Sequence, residues 1–404
     1  MERKTSKAGT YLLWLAIGLS AVVALYLRYE FIDYDQSGDV RDILRHWYNY
    51  LAAYGGIAYL TSNASNYTPV YPALMVLSAL VSDSAVIVIK LAPVVFDLIA
   101  AFFVYKIVRL KYPPPHGVVP VCASVVFLLW PTVLLNASYW GQSDVIYTTG
   151  LLAFLYFFLV GRERLAFVAF GFALATKPQA IFLCPLLLLL LLKRRVSWHS
   201  FFILPAIYLA VITPVWLFGR PLDELLLIYA SHVGNKGKIL TWNAPNLYQW
   251  VSNTHYYVLF PLGILWTATV VGVLAVAAYF SRVKLDNHSI VLLALFCAVC
   301  MPYFLPQMHE RYFFVADALA VVFAFYFPRR AYLSVAIVVA SLATYDLYLT
   351  GAPPFISLSQ AAFLLGAVVL VLGWMVYVQL FPKPPTEPIK SGAQTGPRKT
   401  SARV

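Results

Sequence analysis

The sequence predicts an all-α membrane protein, a polytopic bundle of about 12 transmembrane helices, and three observations carry that expectation. Apolar runs of roughly twenty residues recur along the chain, each long enough to cross a ~30 Å hydrocarbon core. With 61% of its residues hydrophobic, the chain has more apolar surface than a soluble fold could hide. The Lys and Arg residues collect in short loops between the runs, as they do on the cytoplasmic side of membrane proteins. Backbone polar groups in a bilayer must be satisfied within their own segment, so the runs are expected to be helices.

The elements follow in order. The first run, Tyr11 to Leu27, comes after Arg3, Lys4 and Lys7 and has no small-residue cleavage site behind it, so it reads as an uncleaved anchor. Basic loops then occur at Lys106/Arg109/Lys111, Arg162/Arg164, Lys193-Arg194-Arg195, Arg282/Lys284 and Arg329-Arg330, and in the tail from Lys383. With the N-terminus these hold 20 of the 29 Lys and Arg residues. If all of them are cytoplasmic, spans fall near 11–28, 86–107, 116–137, 145–161, 165–177, 179–192, 199–218, 257–281, 288–305, 312–327, 332–349 and 358–380, with both termini cytoplasmic. Residues 29–84 become the first outer loop. Its apolar stretch Pro69 to Val81 is too short to cross and is expected as an interfacial or re-entrant helix. Residues 219–256 form a second long outer loop. The chain reads as one domain, 1–381, followed by a polar, basic, disordered tail, 382–404.

The net charge of +12 does not point to nucleic acid, because it lies in the loops that set topology. The four cysteines, Cys122, Cys184, Cys297 and Cys300, all sit inside apolar runs and read as packing residues. Cys297-x-x-Cys300 has the spacing of a redox or metal pair but no second pair to complete it. No cofactor is required by anything in the sequence, although clustered Asp residues could accept a divalent metal.

Carboxylates are costly near a bilayer, and five of the 17 acidic residues fall within thirteen positions: Glu30, Asp33, Asp35, Asp39 and Asp42. The topology puts this segment outside, together with Gln142 and Asp144, Lys177 and Gln179, and His309, Glu310 and Arg311. His232, Lys236 and Lys238 of the second loop, read as a flexible grip on acceptor or phosphate, join them. A carboxylate at a wet edge can serve as general base toward a hydroxyl. Lys and Arg neutralise a phosphate leaving group. Trp and Tyr stack on sugar rings or lipid chains. The set suits sugar transfer from a lipid-phosphate donor at the outer interface.

At these residues the chain resembles the GT-C superfamily of polytopic glycosyltransferases, and more narrowly the prokaryotic relatives of the second GPI mannosyltransferase. The matching pieces are Ser37-Gly-Asp39 with His46-Trp47-Tyr48, Asn66-Tyr-Thr-Pro69-Val-Tyr71-Pro72, and Ile89-Lys-Leu-Ala-Pro93 with Asp97. Trp140-Gly-Gln-Ser-Asp144, Lys177-Pro-Gln179 and His309-Glu-Arg-Tyr312 complete them. The resemblance implies a polyprenyl-phosphate-linked sugar donor, mannose being the expected sugar, and inversion at the anomeric carbon. The acceptor would be a lipid, glycan or protein. It also implies a catalytic carboxylate in the first outer loop: Asp39 leads, Asp42 shares its face if the segment is an α-helix, and Asp33-Tyr-Asp35 offers an alternative pair. Lys177, His309 and Arg311 would hold the donor phosphate; Gln142, Asp144, Gln179, Glu310, Trp47 and Tyr71 would bind substrate. The enzyme would sit in the plasma membrane of a prokaryote or the endoplasmic reticulum membrane of a eukaryote.

Structural roles compete with each assignment. Asp144 and Gln142 could cap the fourth span, Lys177 could snorkel at a proline break, and His309-Glu-Arg could be an interfacial anchor. Lys90 and Asp97, seven apart in the second span, read as pairing with neighbouring spans. A different class of function, a transporter or flippase for a lipid-linked sugar, would use charges at mid-membrane depth and an internal repeat. A polysaccharide polymerase or ligase would need an Arg-rich outer loop, and residues 219–256 contain only Arg220.

Overall fold

The computed structural model describes residues 7–35, 37–230 and 237–382. His232, Lys236 and the tail from Lys383 lie outside them. Sixteen α-helices account for most of the described residues. Seven helical segments are long and apolar enough to cross a membrane. They contain α1 (Lys7–Ile32), α4 (Ala85–Lys111), α10 (Ile203–Leu217), α12 (Tyr256–Phe280), α13 (Asn287–Phe304), α15 (Tyr332–Thr350) and α16 (Leu358–Leu380).

An eighth candidate is a broken one. Helix α5 (Val118–Leu129) meets the pair formed by α6 (Pro131–Leu134) and a π-helical turn (Leu135–Trp140) at a bend of 54°. The break follows from Pro131, which holds Trp130 in extended backbone (ψ 122°). The other four segments expected to cross are shorter: α7 (Asp144–Leu159), α8 (Glu163–Thr176), Pro178–Leu192, which ends in α9 (Cys184–Leu192), and α14 (Phe314–Tyr326). At 1.5 Å per residue, helices of this size reach only about 20–24 Å, short of a ~30 Å core. Each runs from a loop carrying Arg or Lys to one common region, where α7, Pro178–Leu192 and α14 begin and α8 ends. Their shortness recesses that region below the opposite surface.

The connection between α1 and α4 folds into two helices, α2 (Arg45–Thr61) and α3 (Val70–Ser78). Nine residues make α3 far too short to cross, in keeping with the sequence expectation for 69–81. The second long loop contributes a one-turn helix, α11 (Leu222–Leu227), and a two-residue strand, β1 (Thr241–Trp242). The strand pairs in parallel with β2 (Met308–His309), in the register Thr241 to Met308 and Trp242 to His309. This pairing fastens the loop over the segment between α13 and α14.

The centre of the bundle is α7, α13 and α14, each buried along almost its whole length. Helices α1, α10 and α12 lie outside and expose large apolar side chains such as Leu15, Leu217 and Trp266, a surface that only lipid could cover. All four cysteines are free, and Cys297 and Cys300 are buried in α13. Among the described residues no cluster of His, Cys, Asp or Glu could hold a metal.

The charges inside α4 are structural. Asp97 receives Arg28 Nε at 2.9 Å, with Arg28 Nη2 at 2.8 Å, and both residues are almost fully buried. Arg28 also donates to the carbonyls of Ala24 and Leu128, joining α1, α4 and α5. Lys90 Nζ donates to the carbonyls of Phe31 at 3.0 Å and Tyr34 at 2.5 Å, and so anchors the chain as it leaves α1.

Removing one member of a buried pair strands the other charge at a cost of about 3–5 kcal/mol. Asp97→Ala is therefore expected to lower the thermal unfolding temperature of the detergent-solubilised protein sharply, and Arg28→Met/Asp97→Leu to recover most of the loss. Equal destabilisation by both variants would contradict the pairing argument.

Candidate functional site

Six chain segments converge where the short helices stop. They enclose a cavity of about 450 Å³ whose polar wall includes Asp39, Gln142, Lys177, Gln179, His309 and Arg311.

Asp39 precedes a π-helical turn, Val40–Leu44. Ser37 sets its position: its hydroxyl donates to the Trp140 carbonyl at 2.7 Å and accepts from Val40 N at 3.2 Å. The opposing turn is shaped by Gly141. Its φ of +81° reverses the chain at the end of the Leu135–Trp140 turn, and a Cβ there would come within 2.7 Å of Val40. The reversal lets Gln142 N bond the Asn136 carbonyl at 2.8 Å, and it brings two side-chain donors onto one carboxylate oxygen. Trp140 Nε1 and Gln142 Nε2 both donate to Asp39 Oδ2, the former at 2.8 Å. Tyr348 stacks on Trp140 with centroids 4.5 Å apart, and Tyr345 meets it edge-on.

Lys177 owes its position to Pro178. The residue before a proline is pushed out of helical geometry, and Lys177 is extended (φ −148°, ψ 140°), which ends α8. Its Nζ reaches Asp144 Oδ1 at 2.7 Å and lies 5.1 Å from the centre of the Tyr67 ring. Thr68 secures the same helix end by donating to the Ala175 carbonyl. Asp144 is at the start of α7 but makes no capping hydrogen bond there. Instead its Oδ2 accepts from Asn136 at 3.2 Å and lies 3.7 Å from Arg311 Nε.

Arg311 joins the two sides. Its Nη1 donates to Glu310 Oε1 at 2.8 Å and lies 3.8 Å from Asp39 Oδ2. Its guanidinium carbon is 5.8 Å from the centre of the Trp140 ring. Glu310 is buried, which opposes its ionisation. The hydrogen bond from His309 and the Arg311 charge outweigh that, and the carboxyl is held below its usual range. Burial also works against the Arg311 charge, but Glu310, Asp39 and Asp144 together push its pKa above the ordinary arginine value. His309 is fixed by the β2 pairing and by stacking on Trp242 at 5.6 Å and 10°.

The sequence-predicted residues sort into three groups. Asp39, Trp47, Gln142, Lys177, Gln179, His309 and Arg311 line the cavity. Asp144 and Glu310 do not; they lie behind it, 1% and 3% exposed, and neutralise Lys177 and Arg311. The rest are elsewhere. Tyr71 is buried and donates to the Ile89 carbonyl. Asp35 pairs with Arg45. Asp33 and Asp42 are exposed. Asp42 lies inside the π-helical turn, whose wider winding differs from the α-helix that i, i+3 alignment assumes, and it is not part of the cavity wall.

Trp140 and Tyr312 stand at the ends of two of the matching motifs without a predicted role, while Tyr348, stacked on Trp140, and Tyr229 in the cavity wall lie outside every motif. The only signal of the latter two was aromatic character near helix ends, which interfacial belts share.

Beside the cavity runs an apolar groove of about 300 Å³ that shares Pro178, Gln179, Tyr229 and Tyr312 with it. The groove continues along Phe182, Phe260 and Ile264. Several polar atoms at this junction lack hydrogen-bond partners, among them Arg311 Nε and Gln179 Oε1.

No protein-family model matches the chain, and no curated protein matches it.

The geometry separates bracing carboxylates from the exposed-edge one. Asp144→Ala would leave buried cations without their partner and is expected to cost about 3–5 kcal/mol. Asp39→Asn, at the cavity edge, is expected to cost about 1 kcal/mol or less. Thermal unfolding of the two variants measures the difference, and a reversed order would refute the division.

Proposed function

We propose that this protein is an integral membrane glycosyltransferase of the GT-C kind. It would move a sugar, with mannose the leading candidate, from a polyprenyl-phosphate donor to an acceptor hydroxyl on the extracytoplasmic face. One observation carries the reading: a carboxylate at the edge of a cavity, with Arg311 3.8 Å from it, Lys177 and His309 in the same wall, and an apolar groove leading out of the same space. A donor with a charged phosphate between a sugar and a long hydrocarbon chain needs those three environments side by side.

In this reading the acceptor hydroxyl loses its proton to Asp39 as its oxygen attacks the anomeric carbon. The bond from that carbon to the phosphate oxygen breaks on the opposite side, with inversion. Charge grows on the departing phosphate, and Arg311 and Lys177 are already fixed to meet it, so little reorganisation is needed as it develops. Trp140 and Gln142 orient the Asp39 carboxylate. The isoprenoid chain lies in the groove beside α12. No step calls for a metal ion.

The twelve-crossing topology belongs to the same proposal. It puts the Arg- and Lys-bearing loops in the cytoplasm and the cavity at the outer face. A lipid-linked-sugar carrier is the weaker reading. The intramembrane charges it would use, Lys90 and Asp97, are occupied in joining α1, α4 and α5.

Two experiments test the proposal. A thiol-specific, membrane-impermeant reagent applied to intact cells should label Ser252→Cys, and should label Arg282→Cys only after permeabilisation; the opposite pattern would invert the topology. Membranes given radiolabelled polyprenyl-phosphate mannose should transfer sugar, and Asp39→Asn at matched expression should lower the rate by roughly 10²–10⁴, the usual worth of a positioned general base. Undiminished transfer in the variant would remove Asp39 as the base. A wild type inert toward mannose, glucose and arabinose donors would count against the reaction.

A further inference from the structure

A second polar recess, of about 420 Å³, adjoins the central cavity. Its polar wall is Asn63, Ser65, Asn66, Arg220, Asp223 and Glu224. Asn66 lines both spaces, and the chain that leaves the recess at Ile228 enters the cavity wall at Tyr229. A molecule held in the recess could therefore extend into the cavity from the side.

The recess is walled by a loose ion pair. Arg220 is only 5% exposed, and its Nε lies 3.7 Å from Glu224 Oε2, too far for a hydrogen bond. The Glu224 side chain is 48% exposed, so the pair sets a fixed cation beside an accessible carboxylate in one wall. The surrounding groups narrow the chemistry. Asp223 and Glu224 only accept hydrogen bonds when ionised, Arg220 only donates, and Asn63, Asn66 and Ser65 do both. Two carboxylates would repel a phosphate, and so many polar groups make a poor bed for a hydrocarbon chain. Adjacent hydroxyls, each both donor and acceptor, suit all of these groups at once.

From this we infer that the recess is the acceptor subsite and that the acceptor is a carbohydrate, one ring of which is held by Arg220, Asp223 and Glu224 while a neighbouring hydroxyl enters the cavity. The inference rests on the glycosyltransfer reading and specifies its acceptor.

The test uses the full chain in a sugar-free detergent, with methyl mannoside, methyl glucoside and methyl galactoside as probes. Saturation-transfer NMR reads binding without turnover. The wild type should saturate the ring protons of at least one probe, and Asp223→Asn/Glu224→Gln should reduce the effect at least fivefold. Asn63→Trp, which fills the recess from its exposed rim, should do the same and serves if the double variant does not fold. In the transfer assay the acceptor KM should rise at least tenfold with the donor KM within twofold of wild type. Binding that depends on these residues in a protein that transfers no sugar would keep the recess and sink the glycosyltransferase. Transfer whose acceptor KM ignores all three positions would keep the enzyme and sink the recess, as would ring-proton saturation unchanged in every variant.

Discussion

Lys177 and Arg311 are cations buried at the meeting point of apolar helices, and much of the surrounding architecture serves to neutralise them. Asp144 answers Lys177 at 2.7 Å and Glu310 answers Arg311 at 2.8 Å. Neither carboxylate reaches the cavity. Unpaired charge in such a place would cost several kcal/mol per ion, so the pairs have to form with the fold. Once formed, they hold the cations where a ligand anion can approach without moving them. Asp39 is the third carboxylate, held by Trp140 and Gln142 and 3.8 Å from Arg311. It is the member that faces open space.

The same place is where the helices break. Pro178 ends α8, Gly141 reverses the chain before α7, and Gln307 has a φ of +60° before β2. Broken helices expose backbone groups that lipid cannot satisfy, and a membrane fold tolerates them where they border a polar cavity or other protein. The short lengths of α7, α8 and α14 and the depth of the cavity are therefore one fact. Each interruption shortens a helix at the cavity end, and polar side chains and water can occupy the space.

Around that cavity the wall changes character with direction. Toward α12 it becomes the apolar groove; toward α11 it becomes the polar recess with Arg220. A molecule that is hydrocarbon at one end and hydroxyl-rich at the other would meet matching surfaces in the spaces that adjoin the cavity. The rim of the cavity is tied together by the β1–β2 pairing and by Tyr229, whose hydroxyl donates to the carbonyls of Leu174 and Ala175 at the end of α8.

The helical character of the chain and the positions of the seven helices long enough to cross a membrane were legible in the sequence, because length and hydropathy decide what lipid will accept; that four other expected spans are short was not. Charge clustering likewise exposed the loops, and polar residues in an apolar chain marked Asp39, Gln142, Lys177 and Arg311, since such residues seldom survive near a membrane without a partner. The partners themselves were not legible. Asp144 and Glu310 look like site residues in one dimension and turn out to stand behind the site, because depth is set by how α7 and α14 pack and not by spacing along the chain. The winding around Asp42 was not legible either: i, i+3 spacing implies a common face with Asp39 only in an α-helix, and Val40–Leu44 is a π-turn. Arg28, which holds Asp97, and Tyr348, which braces Trp140, carry no local signal at all. Pairing across 69 residues, or stacking across more than 200, exists only once the bundle has closed.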